Sequence, residues 1–202
     1  MKKIKIGISG KANTGKDTLA KILAKDLGID NNYLKIAFAD PLKSIILDTY
    51  PEADRESLWG PSERREDIIP NAFKMTRDSA EFLQKEPLSY RQSLLDLGKL
   101  GRYYDPDIWS LATVYDANNS DKNIIISDIR FKNELKILKE EEFILIRLLR
   151  PNNHYSVNDI SDKDLDDTLD SYFDFVIIND SDFDSFCNKI NKLASEIKEK
   201  YQ

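Results

Sequence analysis

Cysteine and histidine are almost missing from this chain, with one of each among 202 residues. A single thiol, Cys187, excludes an internal disulfide framework and fits a reducing cytoplasm. Phe183, Phe186 and Ile190 surround it at helical spacing, which predicts a buried structural thiol rather than a nucleophile. The single histidine, His154, stands in a polar Asn-Asn-His-Tyr-Ser stretch without partners for a metal site, so it receives no role. Long apolar runs are absent too: none approaches the roughly 20 residues that a membrane-spanning helix needs. The first residues run directly into a strand pattern, from which we expect no secretory signal and a cytoplasmic protein. Positive charge is in deficit: 30 Lys and Arg face 36 Asp and Glu, a net charge of −6. A nucleic-acid-binding protein usually shows a basic surface, so neither nucleic acid nor a membrane is an expected partner. Any cationic cluster must be local, which suits a small anionic substrate.

What the chain does have is concentrated near its start. Residues 10–16, Gly-Lys-Ala-Asn-Thr-Gly-Lys, spell G-x-x-x-x-G-K, the phosphate-binding P-loop. The context is right. Ile4, Ile6 and Ile8 are β-branched and alternate as a strand does. Leu19, Ile22, Leu23 and Leu27 then recur at helical spacing. Glycines let backbone N–H groups close on phosphate oxygens, and the helix N-terminus adds positive potential. Lys16 would reach the β- and γ-phosphates. The usual Ser or Thr after that lysine is replaced by Asp17, with Thr18 next. Magnesium held mostly by phosphates and water tolerates this, with Asp17 accepting from a water of its shell. Asp17 as a plain first-turn acid favouring the helix dipole is the alternative.

Strand and helix patterns alternate along the rest of the 202 residues, as expected for one α/β domain with a parallel sheet covered on both faces. Strands are expected near 4–9, 34–38, 123–127, 143–149 and 174–178. Helices are expected from Pro41 to about Tyr50, over Met75–Lys85, Ser89–Arg102, Pro106–Ala117, Phe131–Glu141 and Phe183–Lys200. Leu94, Leu95, Leu97 and Leu100 supply the apolar face of the second-longest of these. Residues 51–74 hold three of the seven prolines and read as irregular, and the stretch near 51–85 reads as a lid or substrate-binding insertion. Residues 159–174, with seven Asp and one Lys, read as a solvated surface segment.

Charge gathers where strands end, the place where ligands sit on open α/β sheets. Asp128 and Arg130 follow Ile124–Ile126 directly. Arg130 can pair with a phosphate in a two-pronged fork, and Asp128 can hold a substrate hydroxyl or a magnesium-bound water. Asn133 and Glu134 follow; a helix start alone would also explain Glu134. Arg91 opens a leucine-rich helix where the helix dipole does not favour it. Arg64 and Arg65 are paired beside Trp59-Gly-Pro-Ser-Glu, and clustered arginines can clamp a transferring phosphate.

These residues, in this order, resemble the phage-type deoxynucleoside monophosphate kinases. The resembling blocks are residues 9–18, 38–43, 59–65, 91–98, 105–109, 127–134, 150–151 and 178–180, almost the length of the chain. The Asp-Ile-Arg-Phe-Lys-Asn-Glu block together with Gly-Pro-Ser-Glu is the specific part. Where family members carry Thr-Asp or Thr-Glu after Leu-Gly, this chain has Lys99-Leu100. The resemblance implies an adenylate-kinase-like fold, with its five parallel strands in the order 2-3-1-4-5. It implies ATP and Mg2+, and γ-phosphoryl transfer to a deoxynucleoside monophosphate. By it, Lys11, Asn13, Thr14, Gly15, Lys16, Asp17 and Thr18 fall to the ATP phosphates, and Asn179 and Asp180 lie near adenine. Lys43, Arg64, Arg65, Arg91, Trp109, Asp128, Arg130 and Glu134 fall to the monophosphate, with Lys16, Arg91, Asp128 and Arg130 as the catalytic set. The expected partners are the two nucleotides, and a homodimer remains possible. Rivals are another small-molecule kinase of this fold, of the phosphomevalonate or dephospho-coenzyme A kinase type, and a non-catalytic P-loop switch.

Overall fold

The computed structural model describes residues 3–77, 83–151 and 164–201. His154 and residues 159–163 of the acidic stretch lie outside the described residues. In chain order the elements are β1 (Lys5–Ser9), α1 (Lys16–Asp26), β2 (Tyr33–Ile36), α2 (Asp40–Thr49) and α3 (Arg55–Trp59). A 3-10 turn at Ser62–Glu66, β3 (Ile68–Arg77), β4 (Leu83–Ser89), α4 (Tyr90–Tyr104) and α5 (Ile108–Asn119) follow. Then come β5 (Asn123–Ile129), α6 (Lys132–Glu140), β6 (Ile144–Leu149), β7 (Phe175–Ile178) and α7 (Phe183–Tyr201). The chain divides into two compact units: Met1–Phe38 with Ser110–Gln202, and Ala39–Trp109.

The first unit is an all-parallel sheet of five strands, ordered β2-β5-β1-β6-β7. Numbered among themselves these strands run 2-3-1-4-5; in the full numbering the order shifts, because two further strands intervene in the chain. Lys5 pairs with Ile124 on one side, and Ile6 with Ile144 on the other, so β1 is central. Strands buried on both faces read as continuous apolar runs, and Ile124, Ile125 and Ile126 are each fully buried. Alternate residues serve opposite faces. Ile6, Ile8, Ile125 and Ile146 pack with Leu19 and Leu23 of α1 and Phe186, Ile190, Leu193 and Ile197 of α7. Ile124, Ile126 and Leu145 pack with Val114 and Ala117 of α5 and Leu135 and Leu138 of α6. Cys187 is half-buried on α7, not part of that core as its neighbours suggested.

The second unit departs most from the sequence reading. Residues 51–74 are not irregular: α3, the 3-10 turn and β3 occupy much of them. Asp54 caps α3, its carboxylate accepting from the N–H groups of Glu56 and Ser57, both at 3.1 Å. Where the expected Met75–Lys85 helix falls on described residues it is strand instead: Met75–Arg77 end β3 and Leu83–Lys85 open β4. The two strands pair antiparallel, with Lys74 opposite Glu86 and Phe73 opposite Pro87, while residues 78–82 lie outside the described residues. Pro87 is tolerated there because β4 pairs with β3 on one side only. Ser89 caps α4 by accepting from Gln92 N–H at 3.2 Å. The expected leucine face of α4 is split: Leu94 and Leu97 pack against the core of Ile46, Leu58, Ile69 and Tyr90, while Leu95 and Leu100 are about half exposed, at 48% and 54%.

Candidate active site

The loop between β1 and α1 is shaped by its glycines. Gly15 has φ +102°, a left-handed conformation that a side chain strains against. A Cβ on Gly10 would stand 2.7 Å from the Leu148 carbonyl oxygen and 2.9 Å from Thr14 Oγ1, so Gly10 has no room for an alanine. Asn13 is also left-handed, with φ 58°. Thr14 is buried, and its hydroxyl donates to the Lys11 carbonyl at 2.9 Å. Lys16 curls back, its ammonium donating to the carbonyls of Gly10 and Lys11, each at 2.7 Å. The first N–H groups of α1 have no carbonyl one turn behind them, as at any helix start.

Several side chains hold this loop from outside. Arg150, just beyond β6, donates to the Asn13 carbonyl at 3.0 Å. Asn179, just beyond β7, donates its side-chain amide to the Thr14 carbonyl at 2.9 Å. Lys11 pairs with Asp166 at 2.9 Å. Asp180, expected beside Asn179 at the adenine, pairs with Lys189 at 2.5 Å. Asp17 pairs with Lys35 of β2 at 2.6 Å and accepts from Ser127 Oγ at 3.4 Å. Burial works to raise the Asp17 carboxyl, but the Lys35 hydrogen bond and charge, with the Lys16 charge, outweigh it and hold it below the usual range.

The neighbouring strand β5 brings Asp128 and Arg130 to the same end of the sheet. Asp128 accepts from the Phe38 N–H through both oxygens, at 3.3 and 3.1 Å. Arg130 is exposed and lines a cavity of about 470 Å3 with Lys11, Thr14, Arg147, Arg150 and Asp166. Glu134 is 7% exposed and faces inward, its Oε2 accepting from the N–H groups of Arg130 at 2.8 Å and Phe131 at 3.0 Å. That is the return arm of a capping box, the reading in which a helix start alone explains Glu134. Burial pushes its carboxyl up to about 8, against the two N–H bonds that favour the anion. Arg147 and Arg150 were given no role from the sequence. Arg147 spends its guanidinium on the carbonyls of Thr168 and, at 3.1 Å, Leu165 and on Asp170 at 3.0 Å. It fastens the chain segment that carries Asp166.

Lys43, Arg64, Arg65, Arg91 and Trp109 belong to the second unit. Lys43 is 6% exposed, pairs with Asp40 at 2.7 Å and lies 5.3 Å from the centre of the Trp59 ring. Arg64 pairs with Asp54 at 3.0 Å and with Asp67 at 3.6 Å. Arg91 at the start of α4 pairs with Glu66 and donates to the Ser62 carbonyl at 3.3 Å. Arg65 is half-buried between Arg64 and Glu66 in the same 3-10 turn. The turn and the helix start therefore hold two arginines through carboxylates. Trp109 is half-buried, packs over Gly101 and donates its indole N–H to the Gly98 carbonyl at 3.2 Å.

A central parallel strand ending in a G-x-x-x-x-G-K loop, with charged residues ending the strand beside it, makes this an α/β fold with a P-loop at the carboxyl end of its sheet. No protein-family model matches the chain. The chain is 26% identical over 188 residues to a curated protein of Acanthamoeba polyphaga mimivirus named "Putative deoxynucleotide monophosphate kinase", covering 92% of this chain and 93% of that one. The family resemblance read from the motifs thus has a counterpart along nearly the whole chain. A solved dephospho-CoA kinase from Campylobacter jejuni aligns over 98% of this chain and 97% of its own, with TM-score 0.47 and 17% identity.

Proposed function

We propose that this chain is an ATP-dependent kinase that transfers the γ-phosphoryl group to a deoxynucleoside 5′-monophosphate. The observation that carries the reading is the pairing of β1 with β5. It sets the Lys16 loop beside Asp128 and Arg130 at one end of the sheet. The similarity to the viral protein, spread over 92% of the chain, supports the acceptor class.

Phosphoryl transfer asks little covalent chemistry of a protein; it asks for in-line positioning and for charge. The amides of the loop and of the α1 start hold the donor phosphates. Lys16 leaves the carbonyls of Gly10 and Lys11 and follows the moving γ-phosphoryl, where its charge counts most. Arg130 holds the acceptor phosphate, which attacks as an anion and needs no general base. Asp128, fixed on the Phe38 N–H, keeps a carboxylate beside it for a substrate hydroxyl. Lys43, Arg64, Arg65, Arg91 and Trp109 are assigned to the monophosphate. A divalent cation fits only one kind of binding here. Among the described residues no group of three or more His, Cys, Asp or Glu side chains is placed to cage a metal. Asp17 and Ser127 offer two oxygens 3.4 Å apart near Lys16, which suits Mg2+ kept mainly by phosphates and water. When bound, Mg2+ neutralises charge on the donor oxygens.

The deciding experiment is an ADP-release assay with ATP across the deoxy- and ribonucleoside monophosphates, with dephospho-coenzyme A and phosphomevalonate as further acceptors. ADP release that depends on a deoxynucleoside monophosphate supports the proposal. Turnover only with another acceptor moves the chain to a different kinase of this fold, and acceptor-independent hydrolysis alone makes it a nucleotide switch.

A further inference from the structure

We propose that Asn179 is a positioning residue for the donor phosphates, acting through the P-loop backbone rather than through the nucleotide base. The proposal rests on the reading of the loop as the ATP-phosphate site. Asn179 is itself fixed: its backbone N–H donates to the Leu149 carbonyl at 2.8 Å, just past the pairing of β7 with β6. From there its side-chain amide donates to the Thr14 carbonyl at 2.9 Å, across 165 positions of sequence. It packs so closely that a Cβ on Gly15 would stand 3.2 Å from its Nδ2.

The consequence follows from peptide geometry. In a trans peptide the C=O and the next N–H point in opposite directions. Holding the Thr14 carbonyl outward turns the Gly15 N–H the other way. Arg150 does the same one peptide earlier: it donates to the Asn13 carbonyl at 3.0 Å, and the Thr14 N–H, turned the other way, donates to the Lys11 carbonyl at 3.4 Å. Left-handed backbone at Asn13 and Gly15 is the kind of turn in which successive N–H groups converge on an anion. Two side chains from two later strands thus set the loop before a phosphate arrives. Preorganised donors cost no reorientation at binding. One of the two amide hydrogens of Asn179 is thereby spent on the loop.

The test compares two ligands that share phosphates and differ in the base. Affinities for ATP and for inorganic tripolyphosphate are measured by calorimetry, with Mg2+, on the wild type, Asn179→Ala and Asn179→Leu. Loss of one neutral hydrogen bond should weaken both ligands by the same factor, roughly two- to tenfold. Steady-state kinetics should show KM for ATP raised and KM for the monophosphate unchanged. Loss confined to ATP would make Asn179 a base-contacting residue and overturn the proposal, as would unchanged affinity for both ligands. If the alanine variant does not fold, the leucine variant, close in size, carries the comparison. A wild-type chain that binds neither ligand overturns the donor-site reading itself, whereas binding of both by the wild type with no change in the variants overturns only the role of Asn179.

Discussion

The Lys11 ammonium stands 2.9 Å from the Asp166 carboxylate, both on the wall of the cavity that Arg130 also lines. A P-loop cation is thus paired with an internal anion before any phosphate reaches it. Both side chains are about half exposed, at 56% and 48%, so the pair is weak and screened by salt. Asp166→Asn should therefore tighten ATP binding modestly, by up to about fivefold. The gain should shrink as salt is raised. Calorimetry at low and high ionic strength measures both effects, and equal affinities at low salt would show that Asp166 does not compete with phosphate.

Lys16→Ala should abolish transfer and leave the fold in place. Lys16 lies in the first turn of α1, half-exposed, and its ammonium donates to two loop carbonyls. Little core is lost with it. Its charge is needed as the γ-phosphoryl moves, more than in the bound ground state. Circular dichroism and thermal unfolding establish the fold, and the ADP-release assay establishes the loss. Near wild-type turnover in the folded variant would remove Lys16 from the chemistry.

The first unit was legible because its signals are local. The glycines, the alternating isoleucines of β1 and the helical stripe of α1 lie within residues 4–27, and each alone points to one element. The buried runs at Ile124–Ile126 and Ile144–Leu148 read as strands for the same reason. The hairpin was not legible. Ile68 and Phe73 of β3 are about half exposed, at 50% and 52%, so no clean alternation of apolar and polar residues marks the strand. What defines it is backbone pairing with β4, Lys74 opposite Glu86 and Phe73 opposite Pro87, and such pairing leaves no periodic trace within one segment. The candidate site divides the same way. Strand-end charges such as Asp128 and Arg130 announce themselves by position, but the Asn179–Thr14 and Lys35–Asp17 contacts join residues far apart in sequence or on separate elements, and only the fold reveals them.

Arg130→Ala should damage acceptor use far more than ATP binding. Arg130 ends β5, next to β1 in the sheet, and its side chain lines the cavity beside Lys11 and Thr14. Removing a charge-assisted fork should lower kcat/KM for the monophosphate roughly ten- to a hundredfold. Arg130→Lys should recover only part, because an ammonium keeps the charge without the planar fork. Kinetics with each substrate varied in turn, beside ATP affinity by calorimetry, give the comparison. Equal losses for both substrates would move Arg130 to the donor side.

Glu134 gives a prediction about stability rather than turnover. Burial raises its carboxyl from 4.5 to about 8, so in the folded chain it is protonated through most of the range where the unfolded chain has lost the proton. Folding then takes up a proton between those two values. The unfolded state binds fewer protons there, so stability falls as pH rises from about 4.5 to about 8 and levels off above. Glu134→Gln keeps an oxygen for the N–H groups of Arg130 and Phe131 and cannot ionise. The variant should lose this part of the pH dependence and gain on the wild type as pH rises, most of all above 8. Denaturant midpoints of both chains from pH 5 to 9 measure it; parallel curves would mean that Glu134 is charged in the folded protein and that its two N–H bonds, not burial, set its state.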